Sequence, residues 1–423
     1  MLSEGEQMEK EYYVCTGCGL LCEDIETELE KRAISKVYTA CRVGVAHMKE
    51  NPGTAKFWVE GKNTDEATAI GKAAALLKAA KNPLIFGLDN STNEAQKKAI
   101  ELAKKLNATL DDSSSFSFGP LMAALLQKKF KTCSLDEVRD KADVSVFWGA
   151  DPSDSHPRQL SKFAYFPRGK EKQRGWEEER TAIAIDIRKT HTAKICGNEF
   201  YQVPLGGDAE FMEALIAGLS GKLPKTSYKY PPKKLLELAN LLKAAKFGVI
   251  FVGQDLLYSL ETLAPLFRLM DTLNEKAKGD FFLIPLLEAY NMRGFNENLF
   301  EETGFVNRVK FEAGSVKHGP EYSVVESLKA KAVDAALIIG SDPLANLPYS
   351  IIKELLEIPL ITIDPCETLT SKKAQVSIRS GVSGVEAGGS ALRIDGVRVA
   401  FKPVFESKCP SDEEILLKIM EAF

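Results

Sequence analysis

Cys15, Cys18, Cys22 and Cys41 follow the spacing C-x2-C-x3-C-x18-C. Two short gaps put three thiols on one turn-rich loop and a fourth reaches back from a distance, the arrangement that grips a [4Fe-4S] cube at its corners. Four thiolates also satisfy tetrahedral zinc, although structural zinc sites more often use two separated C-x2-C knuckles. Disulfides are a weaker reading, because bonds confined to the start of a long chain would staple only a tail. Cys133, Cys196, Cys366 and Cys409 are scattered without a pairing pattern and read as small buried apolar residues.

Other reactive residues lie after strand-like segments. Asp186-Ile187-Arg188-Lys189-Thr190 offers a carboxylate for ribose or guanine donors and a guanidinium for phosphate; an Asp turn beside a solvated Arg is equally compatible. His156-Pro157-Arg158 could face a phosphate or cap a helix. The serine-rich loop Ser113 to Pro120 either borders a ligand or caps the helix that follows it. No G-x-S-x-G elbow or Walker-type loop occurs, and His47, His156, His191 and His318 form no i, i+4 pair.

The elements that must position these residues alternate regularly. Short apolar runs at Pro83–Phe86, Val144–Trp148, Ala182–Ile185, Val249–Val252, Phe282–Ile284, Ala336–Ile339 and Leu360–Ile363 predict strands buried on both faces. Helices are expected at Asp65–Ala80, Glu94–Leu106, Asp208–Leu219 and Lys234–Ala245. The fold class is therefore α/β, doubly wound, with mostly parallel sheets, helices on both faces and a small N-terminal head. Trp148-Gly149-Ala150-Asp151-Pro152 and Ile339-Gly340-Ser341-Asp342-Pro343 end two strands with the same G-x-D-P turn, which is either a pair of related pockets or a chance recurrence of turn residues. Arg168 to Arg180 reads as an exposed excursion and Lys222 to Lys234 as a boundary. The expected division is a head over 1–58 and two α/β units over 59–225 and 226–423.

The chain has 423 residues, 44% hydrophobic and 27% charged, with a net charge of -4. That balance implies no polyanion-binding field and no nucleic-acid partner. No stretch approaches the ~20 apolar residues of a membrane span, and Met1 to Glu6 lacks a basic or apolar leader, so a cytoplasmic location is expected.

Taken in order, C-x2-C-x3-C-x18-C, WGADP with HPR, DIRKT, GSDP, Asp364-Pro365 and Glu386-Ala387-Gly388-Gly389-Ser390 resemble the B subunits of formylmethanofuran dehydrogenases, a family of molybdopterin oxidoreductases, from Val14 to about Val404. The resemblance implies CO2 and formate chemistry at a molybdenum or tungsten bis-pterin guanine dinucleotide fed by a [4Fe-4S] cluster. It also implies a multi-subunit complex with an amidohydrolase-type subunit and a small barrel subunit that completes pterin binding. By carry-over, the four cysteines would hold the cluster, and Gly149, Asp151, His156, Arg158, Asp186, Arg188, Gly340 and Asp342 would line the dinucleotides.

This chain departs from the family at the reaction centre. Where the family's loop ends Val-Cys-His-Gly-Pro, Phe116-Ser117-Phe118-Gly119-Pro120 stands, putting Ser117 at the metal-ligand position. The Arg and His of the family's Pro-Met-Arg-Gly-His-Tyr-Asn correspond to Leu287 and Ala289, with Arg293 six positions beyond Leu287. Formate chemistry needs proton handling and carboxylate stabilisation, so a redox-inactive structural subunit, like that of the related formyltransferase/hydrolase complexes, is the alternative.

Overall fold

The computed structural model describes residues 11–30, 33–49, 56–177, 179–224 and 230–423. The segment Met1 to Glu6 and the cut at 225/226 lie outside them. A head sheet comprises β1 (Tyr13–Cys15), β2 (Cys22–Glu30) and β3 (Ala33–Tyr38), closed by a helix at Arg42–Met48. The chain continues through β4 (Phe57–Val59), β5 (Lys62–Thr64), β6 (Pro83–Gly87) and β7 (Thr109–Asp111). It then forms β8 (Val144–Trp148), β9 (Thr181–Asp186), β10 (Phe200–Gln202), β11 (Phe247–Val252) and β12 (Asp280–Pro285). Last come β13 (Val309–Glu312), β14 (Ser315–His318), β15 (Ala335–Ile339), β16 (Leu360–Asp364), β17 (Val376–Arg379), β18 (Gly389–Leu392) and β19 (Arg398–Phe401).

All seven expected strands form, and the expected helices appear at Glu66–Ala79, Asn93–Lys105, Asp208–Leu219 and Pro232–Ala244. The first is capped by Asp65, whose carboxylate accepts from the Thr68 amide, and the second by Thr92. Each apolar run becomes a strand because neither face meets water. Along β6, β15 and β16, Ile85, Leu337, Ile339, Ile361 and Ile363 enter one core, while Leu84, Phe86, Ala336, Ile338 and Leu360 enter another. The helices at 66–79 and 93–105 cover the first core and those at Val324–Lys329 and Tyr349–Leu356 the second.

The two large sheets correct the expected division. β8 to β12 form a parallel sheet in the order β10-β9-β8-β11-β12. β6 and β7 do not join it. They pair in parallel with β15 to β17 in the order β7-β6-β15-β16-β17, and the hairpins β13-β14 and β4-β5 extend this sheet antiparallel at its two ends. The five-stranded unit is thus inserted between β7 and β13 of the nine-stranded one, so neither 59–225 nor 226–423 corresponds to one sheet. Strand partnership across such a distance is set by tertiary packing and leaves no local pattern.

Two smaller expectations also change. The serines at 113–115 do not cap the helix Gly119–Leu126, whose first residue follows Phe118 without a side-chain cap. Instead Ser113 donates to Asp89, Ser114 to Asp112 and Ser115 to Asp111. The 168–180 excursion is largely exposed, yet its last residue is anchored: Arg180 is buried and donates to the carbonyls of Val138, Arg139 and Ala142.

Candidate functional site

The cysteine motif folds into one small cavity. Cys15 ends β1 and faces Cys22 at the start of β2, Cys18 lies in the turn between them, and Cys41 caps the helix Arg42–Met48. All four line that cavity together with Gly17, Gly44 and Arg158. The amides of Gly17 and Gly44 donate to the sulfurs of Cys15 and Cys41, both at 3.4 Å. A Cβ on Gly44 would stand 3.1 Å from the Cys15 Sγ, so small residues preserve the space around the sulfurs. Burial pushes the Cys15 thiol up to about 12 and the Cys18 and Cys22 thiols upward as well. Thiols so placed are poor anions alone and give up their protons when a cation offsets the charge. Among the described residues no three of these sulfurs lie within 4.8 Å of one another. Zinc bound by all four sulfurs at ~2.3 Å would draw them to roughly 3.8 Å apart, and a [4Fe-4S] cube would hold the same four thiolates farther apart.

Arg158, expected beside a dinucleotide, lines the cysteine cavity. Its guanidinium donates through both terminal nitrogens to the Asp24 carboxylate at 2.7 Å, and Lys162 Nζ adds a third contact at 2.6 Å. Those two cations hold Asp24 at about 2, below the usual carboxylate range despite its partial burial. The reason is position: the turn after β8 aims residues 158–162 at the head sheet. His156 is wholly buried, its Nε2 2.9 Å from the Leu287 carbonyl, and desolvation lowers it to about 4. It is a neutral histidine tying the turn after β8 to the segment after β12.

The two G-x-D-P turns match bond for bond. Gly149 and Gly340 have φ of +57° and +56°, and their amides donate to the carbonyls of Ile185 and Ile363 at 2.8 and 2.9 Å. Asp151 accepts from the amides of His191 and Thr192 and from the Thr192 hydroxyl; Asp342 accepts from the amides of Leu369 and Thr370 and from the Thr370 hydroxyl. Asp186 and Asp364 end the neighbouring strands, and each accepts from the amide two residues on, Arg188 at 3.1 Å and Cys366 at 2.8 Å. Chance recurrence does not produce so many equivalent bonds. Both turns also sit where strand order reverses, β8 beside β11 and β15 beside β6, which is where open α/β sheets bind ligands.

The two switch points differ in openness. Gly149 packs against the helix Gln254–Ser259, where a Cβ would meet the Leu256 amide nitrogen at 2.2 Å. Gly340 opens onto a cavity of about 210 Å3 shared with Asn90, Asp364, Tyr290 and, from the cysteine loop, Thr16 and Gly17. Asp364 also borders an adjoining cavity of about 460 Å3 with Trp58, Lys56, Lys372, Cys366 and Arg379. Asp364 therefore belongs with the site residues, and its signal was in the sequence: a carboxylate ending a buried strand, as at Asp186. Asp186 is buried with its Oδ2 lacking a hydrogen-bond partner, as a residue awaiting a donor would be, whereas Arg188 is exposed. Cys366, expected in the core, is half-buried at the larger cavity.

At the reaction-centre positions, Ser117 is half-buried, while Phe118 and Leu287 are buried within the apolar core. The Leu287 carbonyl is occupied by His156, and a Cβ on Gly19 of the cysteine loop would stand 3.0 Å from it. Arg293 is buried and pairs with Glu297 at 3.0 Å. Asp89, Asp111 and Asp112, which accept from Ser113, Ser115 and Ser114 of the same loop, are buried; desolvation raises all three, Asp111 to about 7.

No family model matches the chain. The B subunit of the tungsten-containing formylmethanofuran dehydrogenase 2 of Methanocaldococcus jannaschii is 33% identical over 409 residues, covering 93% of each chain. This chain belongs to the formylmethanofuran dehydrogenase B-subunit family. The Methanococcus maripaludis member of the same name is 31% identical over 429 residues, 96% of this chain and 97% of that one. The B subunit of the formyltransferase/hydrolase complex Fhc of Methylorubrum extorquens is 26% identical over 340 residues, 79% of this chain and 87% of its own. The crystal structure of that organism's formyltransferase/hydrolase complex with methylofuran contains a chain of the same fold, with a TM-score of 0.69 at 24% identity over 86% of this chain and 98% of that one. Among the described residues no helix is long and apolar enough to cross a membrane.

Proposed function

We propose that this chain is the B subunit of a formylmethanofuran dehydrogenase-like complex, with Cys15, Cys18, Cys22 and Cys41 holding a [4Fe-4S] cluster. The observation that carries the reading is the convergence of all four cysteines on one cavity whose Gly17 also lines the open switch point at Gly340. On this reading that switch point and, once the helix Gln254–Ser259 gives way, the one at Gly149 would receive a molybdenum or tungsten bis-pterin guanine dinucleotide, which when bound would exchange electrons between the cluster and the CO2/formate couple. Toward it, Asp186 would accept from a guanine or ribose donor through its free Oδ2, and Asp364 would face the ligand at the junction of the two cavities. Asp151 and Asp342 would act at one remove, since their carboxylates already fix the loops beside the ligand. The partners would be the other subunits of such a complex, including the amidohydrolase-type and small barrel subunits, in the cytoplasm.

A second reading is favoured by one observation. Phe118 and Leu287 fill the reaction-centre positions with buried apolar side chains, so neither a proton-transfer group nor a charge-stabilising cation stands there. On that reading the chain is a redox-inactive structural subunit. Metal analysis of the anaerobically purified chain with its partners separates the two. About four iron atoms per chain with molybdenum or tungsten near one would support the redox reading; iron alone would support the structural one, and absence of iron would overturn the cluster.

A further inference from the structure

Asp24 lies two residues beyond Cys22 on β2, and Arg158, which lines the cysteine cavity, and Lys162 both donate to it. Their side chains are 19% and 20% exposed, so solvent screens their charge only in part. Two cations against one carboxylate leave one positive charge in excess beside Cys22. The bidentate fork to Asp24 fixes the guanidinium in place, and Arg158 also touches the cavity in which the sulfurs meet. Arg42, the residue after Cys41, is paired with Asp154, 2.8 Å away.

We infer that Arg158, held by Asp24 and backed by Lys162, raises the reduction potential of the four-cysteine site by placing a fixed positive charge at its Cys22 corner. The inference rests on the cluster reading. One-electron reduction adds one negative charge to a site already surrounded by thiolates, and a nearby cation stabilises the reduced form more than the oxidised one. No bond forms or breaks; in the test below dithionite supplies the electron. The competing role for the same residues is mechanical, as a clasp between the head sheet and the five-stranded unit, and a clasp would not change a potential.

The test is a dithionite redox titration, followed by electron paramagnetic resonance, of the full-length chain purified anaerobically, with iron measured in parallel. Arg158→Gln should retain its iron and lower the ratio of reduced to oxidised site about tenfold at the wild-type midpoint, a negative shift of ~59 mV for one electron. Arg158→Lys should stay near wild type, and Lys162→Gln should shift in the same direction by less. An unmoved midpoint in an iron-replete Arg158→Gln would overturn the inference and leave the cluster standing. Should Arg158→Gln lose its iron, the Lys162→Gln titration decides, and an unmoved midpoint there overturns it equally. A wild-type chain without iron would overturn both the inference and the reading beneath it.

Discussion

Gly149 and Gly340 make the same turn in two settings, so the same substitution should cost different amounts. Both have φ near +56°, a left-handed conformation that costs an alanine about 1–2 kcal/mol. At Gly340 the nearest atom to a new Cβ is the Asn90 carbonyl oxygen at 3.3 Å, so little is added to that cost. At Gly149 the Cβ would fall 2.2 Å from the Leu256 amide nitrogen and 2.9 Å from its Cα. Backbone cannot rotate aside as a side chain can, so the helix Gln254–Ser259 must shift, at a further cost of about 1–3 kcal/mol. Gly340→Ala should therefore lower stability by about 1–2 kcal/mol and Gly149→Ala by about 2–5 kcal/mol. Urea unfolding of the full-length chain, followed by far-UV circular dichroism, measures both. Equal losses, or a larger loss for Gly340→Ala, would refute the claim that one switch point is braced by a helix and the other opens onto a cavity.

Cys18→Ser should remove the brown absorbance and most of the iron from the anaerobically purified chain, and unchanged iron content would defeat the assignment of that cysteine. Ser117→Cys should fail to confer formate oxidation, because Phe118 and Leu287 remain packed in the core; activity from that single change would contradict the reading of the reaction centre. His156 contributes a pH dependence. Its folded value of about 4 lies below the ordinary 6.5, so the unfolded chain binds more protons between these values. Its contribution to stability is full above about 6.5 and is lost as pH falls through about 4, amounting to roughly 3 kcal/mol. Asp111, raised to about 7, tilts stability the other way, losing its contribution as pH rises through that value. The difference between wild type and His156→Gln, followed by urea midpoints from pH 7 to 4, isolates the histidine, and a constant difference across that range would exclude its titration.

Much of this molecule was legible in the chain. Strand and helix positions followed from runs such as Val144–Trp148 and from caps such as Asp65, because burial on both faces and capping each leave a local mark. The cysteine spacing likewise brought the four thiols to one cavity, since short gaps confine three of them to one turn. The family was legible too, from the order of its motifs. What only the tertiary structure decided is where those motifs point. Arg158 grips Asp24 two residues from Cys22, and His156, which caps the helix Pro152–Ser155 through its amide as one of the expected alternatives had it, also ties that turn to Leu287, because the inserted five-stranded unit aims the loop after β8 at the head. The twin turns proved equivalent only once Asp151 and Asp342 were seen binding matching amides. Sequence determines which residues can bond; the packing of distant strands determines which of them meet.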